Sequence, residues 1–442
     1  MGTQAHAQAP GADTKDTLDN RVVPIVLVPG VMGTRLKIPG ATADWDPDST
    51  LAMGQWVAAS RRRNVSDIDF RRAATPLTDV GSTFTSRPRL RQIALDHTNP
   101  RPPPRSEQPA VVKFYEGRGW GEVVESFYKD ILIGLEETLN PGGDELRPVY
   151  AVGYDWRQSN QDSAKRLSAR VQEFIGRHPL AQQAIIVTHS MGGLVTRAAL
   201  QQGLGSRVLG VIHTVMPADG AVVAYRRFLT GGRSDFGDAP SGLNRIIGAT
   251  HIEYSLMQSV LRGPTELLPA DSYPDTFVRM TGDLTNKFFP DVFGAYEQTT
   301  PPGILYKQGD VVTDGLFSSK DTVTATDVDN LRSRFREAKV FTRSIAGVVH
   351  PRTFLLFGTN QPNDVEFDFT KGTPTADGSK MNAMVIRKPD GDGTVPAASS
   401  RFDAATNVLG RKAFGVTHAE CFQFAEFRAA VIARVRQLLL PP

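Results

Sequence analysis

One cysteine, Cys421, serves a chain of 442 residues, so no intramolecular disulfide can form and a cysteine-based zinc site would lack ligands. Folding therefore does not depend on an oxidising compartment. Nowhere do eighteen apolar residues run together, which leaves no candidate transmembrane helix. Charge of one sign is also missing: 50 Lys and Arg against 47 Asp and Glu leave +3, too little to suggest a nucleic-acid partner. The stretch from Met1 to Asn20 is polar and rich in small residues. It has no apolar segment of the signal-peptide kind and is expected to be flexible. Internal repeats and low-complexity tracts are absent.

What is present points to a folded, loop-rich chain. Apolar residues make up 40%, with 23 Phe, 9 Tyr and 4 Trp, which allows a large core and excludes a disordered chain. The 40 Gly and 30 Pro argue against a helical bundle or coiled coil. The run Val22 to Val28 is β-branched and closed by Pro29-Gly30, as expected of a strand buried on both faces. Further strands are expected at Val149–Val152, Ala184–Val187 and Val208–Val215, alternating with helices over Gly121–Leu139, Asp162–Ile175 and Gly193–Gln202. That alternation implies right-handed βαβ units and a mostly parallel sheet with helices on both faces. Later come a strand at Met384–Ile386, short segments at Asn407–Gly410 and Lys412–Gly415, and a closing helix from Ala419 to Leu440.

The segment Ile185-Ile186-Val187-Thr188-His189-Ser190-Met191-Gly192-Gly193 runs from a strand through a tight turn into a helix, with Ser190 at the apex. A nucleophilic serine on such an elbow needs small neighbours two residues to either side. Gly192 meets that need, whereas Thr188 stands where glycine is usual, so either the turn opens slightly or its packing partner is small. The plainer reading is a serine capping the following helix. A serine nucleophile needs a base, and the base an orienting acid, in the chain order nucleophile, acid, histidine. Asp392, flanked by Gly391 and Gly393 after the Met384–Ile386 strand, is the expected acid, with Asp390 as the fallback. A calcium loop starting at Asp390 would need glutamate where Arg401 stands. His418 is the one histidine after Asp392 and is the expected base. His189 adjoins Ser190 and is excluded as base, because adjacent side chains at an elbow diverge. His97, His178, His213, His251 and His350 are read as ordinary structural histidines. The oxyanion donors are expected to be the backbone N–H groups of Met191 and of Val31, in the glycine-rich turn after the first strand. That turn fits no nucleotide-binding pattern. The chemistry calls for no metal or cofactor.

Four motifs carry a family resemblance: Pro24 to Gly33, Tyr154-Asp155-Trp156-Arg157, His189 to Gly193, and Gly391-Asp392-Gly393-Thr394-Val395-Pro396. In this order they resemble the lecithin:cholesterol acyltransferase family, which includes lysosomal phospholipase A2, phospholipid:diacylglycerol acyltransferases and bacterial relatives. The resemblance implies an α/β-hydrolase core with a lid insertion and a cap domain, acting on acyl esters of lipids. It implies the triad Ser190, Asp392 and His418 with Val31 and Met191 as oxyanion donors, and it implies that Tyr154 to Arg157 buttress the core. Trp45 falls where the family has its lid. The family's animal members close a lid loop with a disulfide, which a lone cysteine cannot do.

The division expected is a flexible segment at 1–20, a hydrolase core at 21–39, 113–215 and 344–442, a lid-like insertion at 40–112 and a cap insertion at 216–343. The lid-like stretch mixes Arg61-Arg62-Arg63 and Arg71-Arg72 with Leu51, Met53, Trp56 and Val57, a pattern suited to transient contact with a membrane surface. A fixed surface excursion is the plainer reading. The activity expected is ester hydrolysis, with acyl transfer to an alcohol and a catalytically inactive binding module as alternatives. The expected setting is soluble, in a bacterial cytoplasm or secreted without a visible signal peptide. Acyl length, head group and oligomeric state are left open.

Overall fold

The structure, a computed structural model, describes residues 21–37, 44–60, 117–140, 146–232, 247–248, 250–274, 277–280, 283–285, 311–312, 321–322, 325–368 and 384–441. The flexible segment expected at 1–20 and most of the lid-like insertion, including its arginine clusters, lie outside these residues. The strands in chain order are β1 (Ile25–Val28), β2 (Val149–Ala151), β3 (Ala184–His189), β4 (Val208–Thr214), β5 (Val278–Met280) and β6 (Asp283–Thr285). They continue with β7 (Val311–Val312), β8 (Asp321–Thr322), β9 (Thr353–Gly358), β10 (Asn363–Asp368), β11 (Met384–Lys388) and β12 (Gly410–Phe414). The helices are α1 (Thr50–Ser60), α2 (Glu125–Leu139), α3 (Asn160–Gly176), α4 (Gly192–Gln201) and α5 (Val222–Thr230). After them come α6 (His251–Gln258), α7 (Ala325–Ser344), α8 (Ala397–Arg401) and α9 (Ala425–Leu439).

Six strands form one sheet in the order β12-β9-β4-β3-β1-β2, every neighbour parallel. Parallel sheets need cover on both faces. Accordingly, every residue of β1, β2, β3, β4 and β9 is buried. Each of Ile25, Val26, Leu27 and Val28 is fully buried, and such a side chain contributes about 1.5–3 kcal/mol. The helix pairs α2 with α9 and α3 with α4 pack as cover. Helix α3 shows why such helices form: Ala164, Leu167, Val171 and Phe174 recur on one buried face, and the Ser159 hydroxyl caps the start by accepting from Gln161 N–H.

Two features depart from the sequence-based expectation. First, β9, unassigned from the sequence, is a central strand of the parallel sheet. Second, the strand at Met384, expected to carry the acid, pairs antiparallel with β10 in a separate four-stranded sheet ordered β11-β10-β5-β6. The chain thus leaves the main sheet after Gly358, makes two strands elsewhere and returns at Asp392. A Cβ on Gly358 would lie 2.4 Å from the Asp392 Cβ, so the loop carrying Asp392 closes directly on the end of β9. In place of the short segments expected at Asn407–Gly410 and Lys412–Gly415 there is one strand, β12, over Gly410–Phe414.

The second sheet has its own apolar core. Tyr225 and Phe228 of α5, Tyr254 of α6, Leu331 and Phe335 of α7, and Phe367 of β10 pack together. This layer is tied to α3 by Glu266, in the 3₁₀ turn Pro264–Leu267. Its carboxylate accepts from Ser159 Oγ at 2.7 Å, Asn160 N–H at 2.8 Å and Asn160 Nδ2 at 2.7 Å. Burial nonetheless outweighs these donors and pushes the carboxyl from 4.5 up to about 7. Folding therefore takes up a proton between those values. The penalty for the buried charge is complete above about pH 7 and gone below about pH 4.5. Glu266→Gln should consequently gain in melting temperature over the parent chain at pH 8, with the gain shrinking towards pH 5. A difference constant across thermal melts from pH 5 to 8 would remove the buried charge as its cause.

Candidate active site

Ser190 follows β3 directly and has φ of +52°, the left-handed region that a serine enters only when its surroundings impose it. The surroundings are visible. Ser190 N–H donates to Thr214 C=O at 3.0 Å, and Gly193 N–H donates to Ser190 C=O at 2.9 Å. A Cβ on Gly192 would come within 2.5 Å of the backbone oxygens of Val28 and Pro29, so the start of α4 lies hard against β1. Thr188, fully buried, does not require an opened turn or a small neighbour. Its hydroxyl meets Nδ1 of His213 on β4 at 2.9 Å, so a polar partner occupies the space. Burial holds that His213 down at about 3, hence neutral.

The structure brings the three expected side chains together. His418 Nε2 is 2.8 Å from Ser190 Oγ, and His418 Nδ1 is 2.7 Å from Asp392 Oδ2. The other carboxylate oxygen, Asp392 Oδ1, accepts the N–H groups of Thr394 at 2.9 Å and Val395 at 2.7 Å. These two donors fix the carboxylate's orientation. Asn363 Oδ1 accepts Gly393 N–H at 2.7 Å, and a Cβ on Gly391 would strike that same oxygen, so the glycine-flanked loop is folded onto β10. The fallback acid, Asp390, is exposed and makes no contact with His418.

The turn expected to supply the oxyanion donors is placed by sheet register. β1 pairs with β3 with Val28 opposite Thr188, so Val31 and Met191 each lie three residues past the same level. β1 also marks where the strand order reverses, the position at which parallel sheets open a crevice at their carboxyl ends. Gly33 N–H closes the turn on Gly30 C=O at 3.1 Å, and Met32 has φ of +61°. Among the described residues, neither the Val31 nor the Met191 amide is engaged by a protein acceptor.

Tyr154 supports this turn from below, its hydroxyl donating to Pro29 C=O at 2.9 Å. Asp155 holds Arg157 through Nε at 2.8 Å and Nη2 at 3.0 Å. Trp45 is 1% exposed and packs edge-on against Trp156 with centroids 5.4 Å apart, which makes it a core residue. Arg35, also buried, holds Asp46 and Asp48, and Asp48 accepts the N–H groups of Glu125 and Ser126 at the start of α2. The described start of the stretch expected to be an insertion is thus pinned to the core. Of the apolar residues expected in the lid, Leu51 is exposed and Met53 packs against the core, while the side chains of Trp56 and Val57 lie outside the described residues.

Two residues at the site escaped the sequence reading. Tyr128 sits on α2 among apolar neighbours at helical spacing, and nothing local distinguishes it. His189 entered only as an excluded base. Its Nδ1 is 2.9 Å from Tyr128 Oη and its Nε2 is 3.0 Å from the His418 carbonyl oxygen. Burial, reinforced by the nearby His418, holds it down at about 3.

A parallel sheet carrying a serine on a strand-to-helix elbow, with a histidine and a carboxylate in hydrogen-bond contact, defines an α/β hydrolase. The sequence profile of the lecithin:cholesterol acyltransferase family matches residues 128–407, well over half of the chain. The protein belongs to that family, which places it among enzymes that hydrolyse or transfer acyl esters. Ser190 and Asp392 fall within the match; Val31 and His418 fall outside it. Among solved structures, the Tle4-Tli4 complex aligns with TM-score 0.66 at 19% identity, covering 94% of this chain and 98% of that one. This likeness is one of fold. Lipase 1 from Pelosinus fermentans aligns over 69% of this chain and 90% of that one, but at 13% identity and TM-score 0.32, too loosely to carry an argument. An uncharacterised Saccharomyces cerevisiae protein is 36% identical over 70 residues, 16% of this chain. That match spans 10% of the yeast protein's length. Among the described residues, no helix is long and apolar enough to cross a membrane.

Proposed function

We propose that this protein is a serine esterase or lipase that cleaves acyl esters of lipids through an acyl-enzyme on Ser190. The observation that carries the reading is His418, whose Nε2 lies 2.8 Å from Ser190 Oγ while its Nδ1 lies 2.7 Å from Asp392. His418 takes the hydroxyl proton as Ser190 Oγ attacks the ester carbonyl. Asp392 keeps the Nδ1–H tautomer and stabilises the imidazolium. The carbonyl oxygen becomes an oxyanion held by the Val31 and Met191 N–H groups. On collapse His418 returns the proton to the leaving alcohol, and water attacks the acyl-enzyme by the same path in reverse. No step calls on a metal or cofactor. A binding module would have no use for this arrangement.

Family membership supports a second reading, in which an alcohol replaces water and the acyl group is transferred. Residues 40–112 and 216–343 are assigned to a lid and a cap over the site, with the lid touching a membrane surface transiently. A panel of esters of graded acyl length, with and without an acceptor alcohol, tests both readings. Free acid should form in buffer alone and cease after fluorophosphonate treatment. A new ester forming at the expense of free acid would select transfer. No cleavage across the panel, together with no fluorophosphonate labelling, would overturn the proposal.

A further inference from the structure

The geometry points to Tyr128 and His189 as positioning residues that bridge the oxyanion turn to the loop bearing the base, behind the nucleophile. This inference rests on the hydrolase reading above. A continuous path of hydrogen bonds connects the two catalytic loops. Gly30 N–H donates to Tyr128 Oη at 2.9 Å, Tyr128 Oη is 2.9 Å from His189 Nδ1, and His189 Nε2 is 3.0 Å from His418 C=O. The carbonyl at the far end puts the ring proton on Nε2, and burial keeps the ring neutral, so Nδ1 is left to accept. A backbone N–H only donates and a carbonyl only accepts. Tyr128 O–H therefore donates to Nδ1, and His189 donates from Nε2–H as the neutral tautomer.

The path is built into the backbone on either side. A Cβ on Gly33 would lie 2.5 Å from Tyr128 Oη, and a Cβ on Gly30 would lie 2.9 Å from both His189 Nδ1 and Ser190 Cβ. Both glycines of the oxyanion turn thus leave room for this pair. At the far end the His418 backbone is held twice, its N–H donating to Asp392 C=O at 2.9 Å and its C=O accepting from His189. The rings of Tyr128 and His189 meet edge to face at 5.5 Å, and Phe422 flanks His189 at 5.6 Å, so the imidazole has little freedom to turn. His189 remains neutral, which suits a ring whose centroid is 5.4 Å from the one that becomes cationic during turnover. It sets where His418 stands without exchanging protons with substrate.

Three variants test this: His189→Leu, His189→Gln and Tyr128→Phe. Glutamine places an amide N–H at the same bond distance from Cβ as His189 Nε2–H, so it retains the donor to His418 C=O; leucine has none. Turnover of a soluble ester, its pH profile, the rate of fluorophosphonate labelling at Ser190 and thermal melts are measured for each. His189→Leu should lose up to about 100-fold in kcat, with KM within about 3-fold, because the base is displaced while the binding surface is intact. Labelling should slow in parallel. His189→Gln should recover most of the loss, with the limb of the pH profile unmoved. Tyr128→Phe keeps the ring packing and should lose about 3- to 30-fold in kcat, which keeps the test decisive should the leucine variant fail to fold. Turnover and labelling at parental rates in His189→Leu or in Tyr128→Phe would overturn the inference. So would His189→Gln as impaired as His189→Leu, which would mean ring shape alone matters. Absence of labelling in the parent chain would instead remove the hydrolase reading itself.

Discussion

Ser190→Ala is expected to abolish ester cleavage, by about 10⁶-fold in kcat, while leaving the fold in place. The size follows from chemistry: without Oγ there is no atom 2.8 Å from His418 Nε2 to attack a carbonyl, and only oxyanion donors and binding contacts remain. Structural tolerance follows from what Ser190 does with its backbone. Its N–H bond to Thr214 C=O and its C=O bond from Gly193 N–H do not involve the side chain. The Cβ, packed close to Gly30, is retained. Alanine meets the positive φ at about the same cost as serine. Thermal melts should therefore differ by only a few degrees, and fluorophosphonate should label the parent chain at Ser190 and the variant nowhere. Labelling of another serine in the variant, with turnover preserved, would move the nucleophile elsewhere.

How far the sequence reveals this architecture depends on whether the information is local. β1 to β4 were legible because β-branched apolar runs alternate with amphipathic helices. β9 was not, because Thr353-Phe354-Leu355-Leu356-Phe357-Gly358 is short and nearly without β-branched residues, a run that periodicity cannot tell from a buried helix. β11 was legible as a strand, but which sheet it joins is set by pairing with β10, a contact no local pattern encodes. The candidate triad was legible because glycines mark its turns and chain order does the rest. Thr188 read as a departure since its partner, His213, lies on the next strand. The bridge through Tyr128 and His189 was the least accessible. It depends on contacts between residues 61 and 229 positions apart, and each residue has an ordinary local explanation.

Asp392→Asn should lower kcat by about 10⁴-fold, about 5 kcal/mol at the barrier, with KM nearly unchanged. The effect depends on which way the asparagine amide faces. In the parent chain Asp392 Oδ1 accepts two backbone N–H groups, from Thr394 and Val395. An amide nitrogen there would face two donors, so asparagine must keep its oxygen on that side. Its nitrogen then points to His418 Nδ1, 2.7 Å away, and donates where the carboxylate accepted. Nδ1 is forced to accept, the imidazole proton moves to Nε2, and that nitrogen can no longer take the proton from Ser190 Oγ. The loss therefore falls on the chemical step; substrate contacts are untouched. Asp392 is buried and asparagine has nearly its shape, so the Gly391–Val395 loop should hold. Asp390→Asn is the matched control. Asp390 is exposed and contributes to the loop through its backbone, accepting Ala397 N–H at 2.9 Å, so turnover should stay within about 3-fold of the parent. Steady-state kinetics of the two variants decide the matter: a damaging Asp390→Asn beside a mild Asp392→Asn would place the acid two residues earlier.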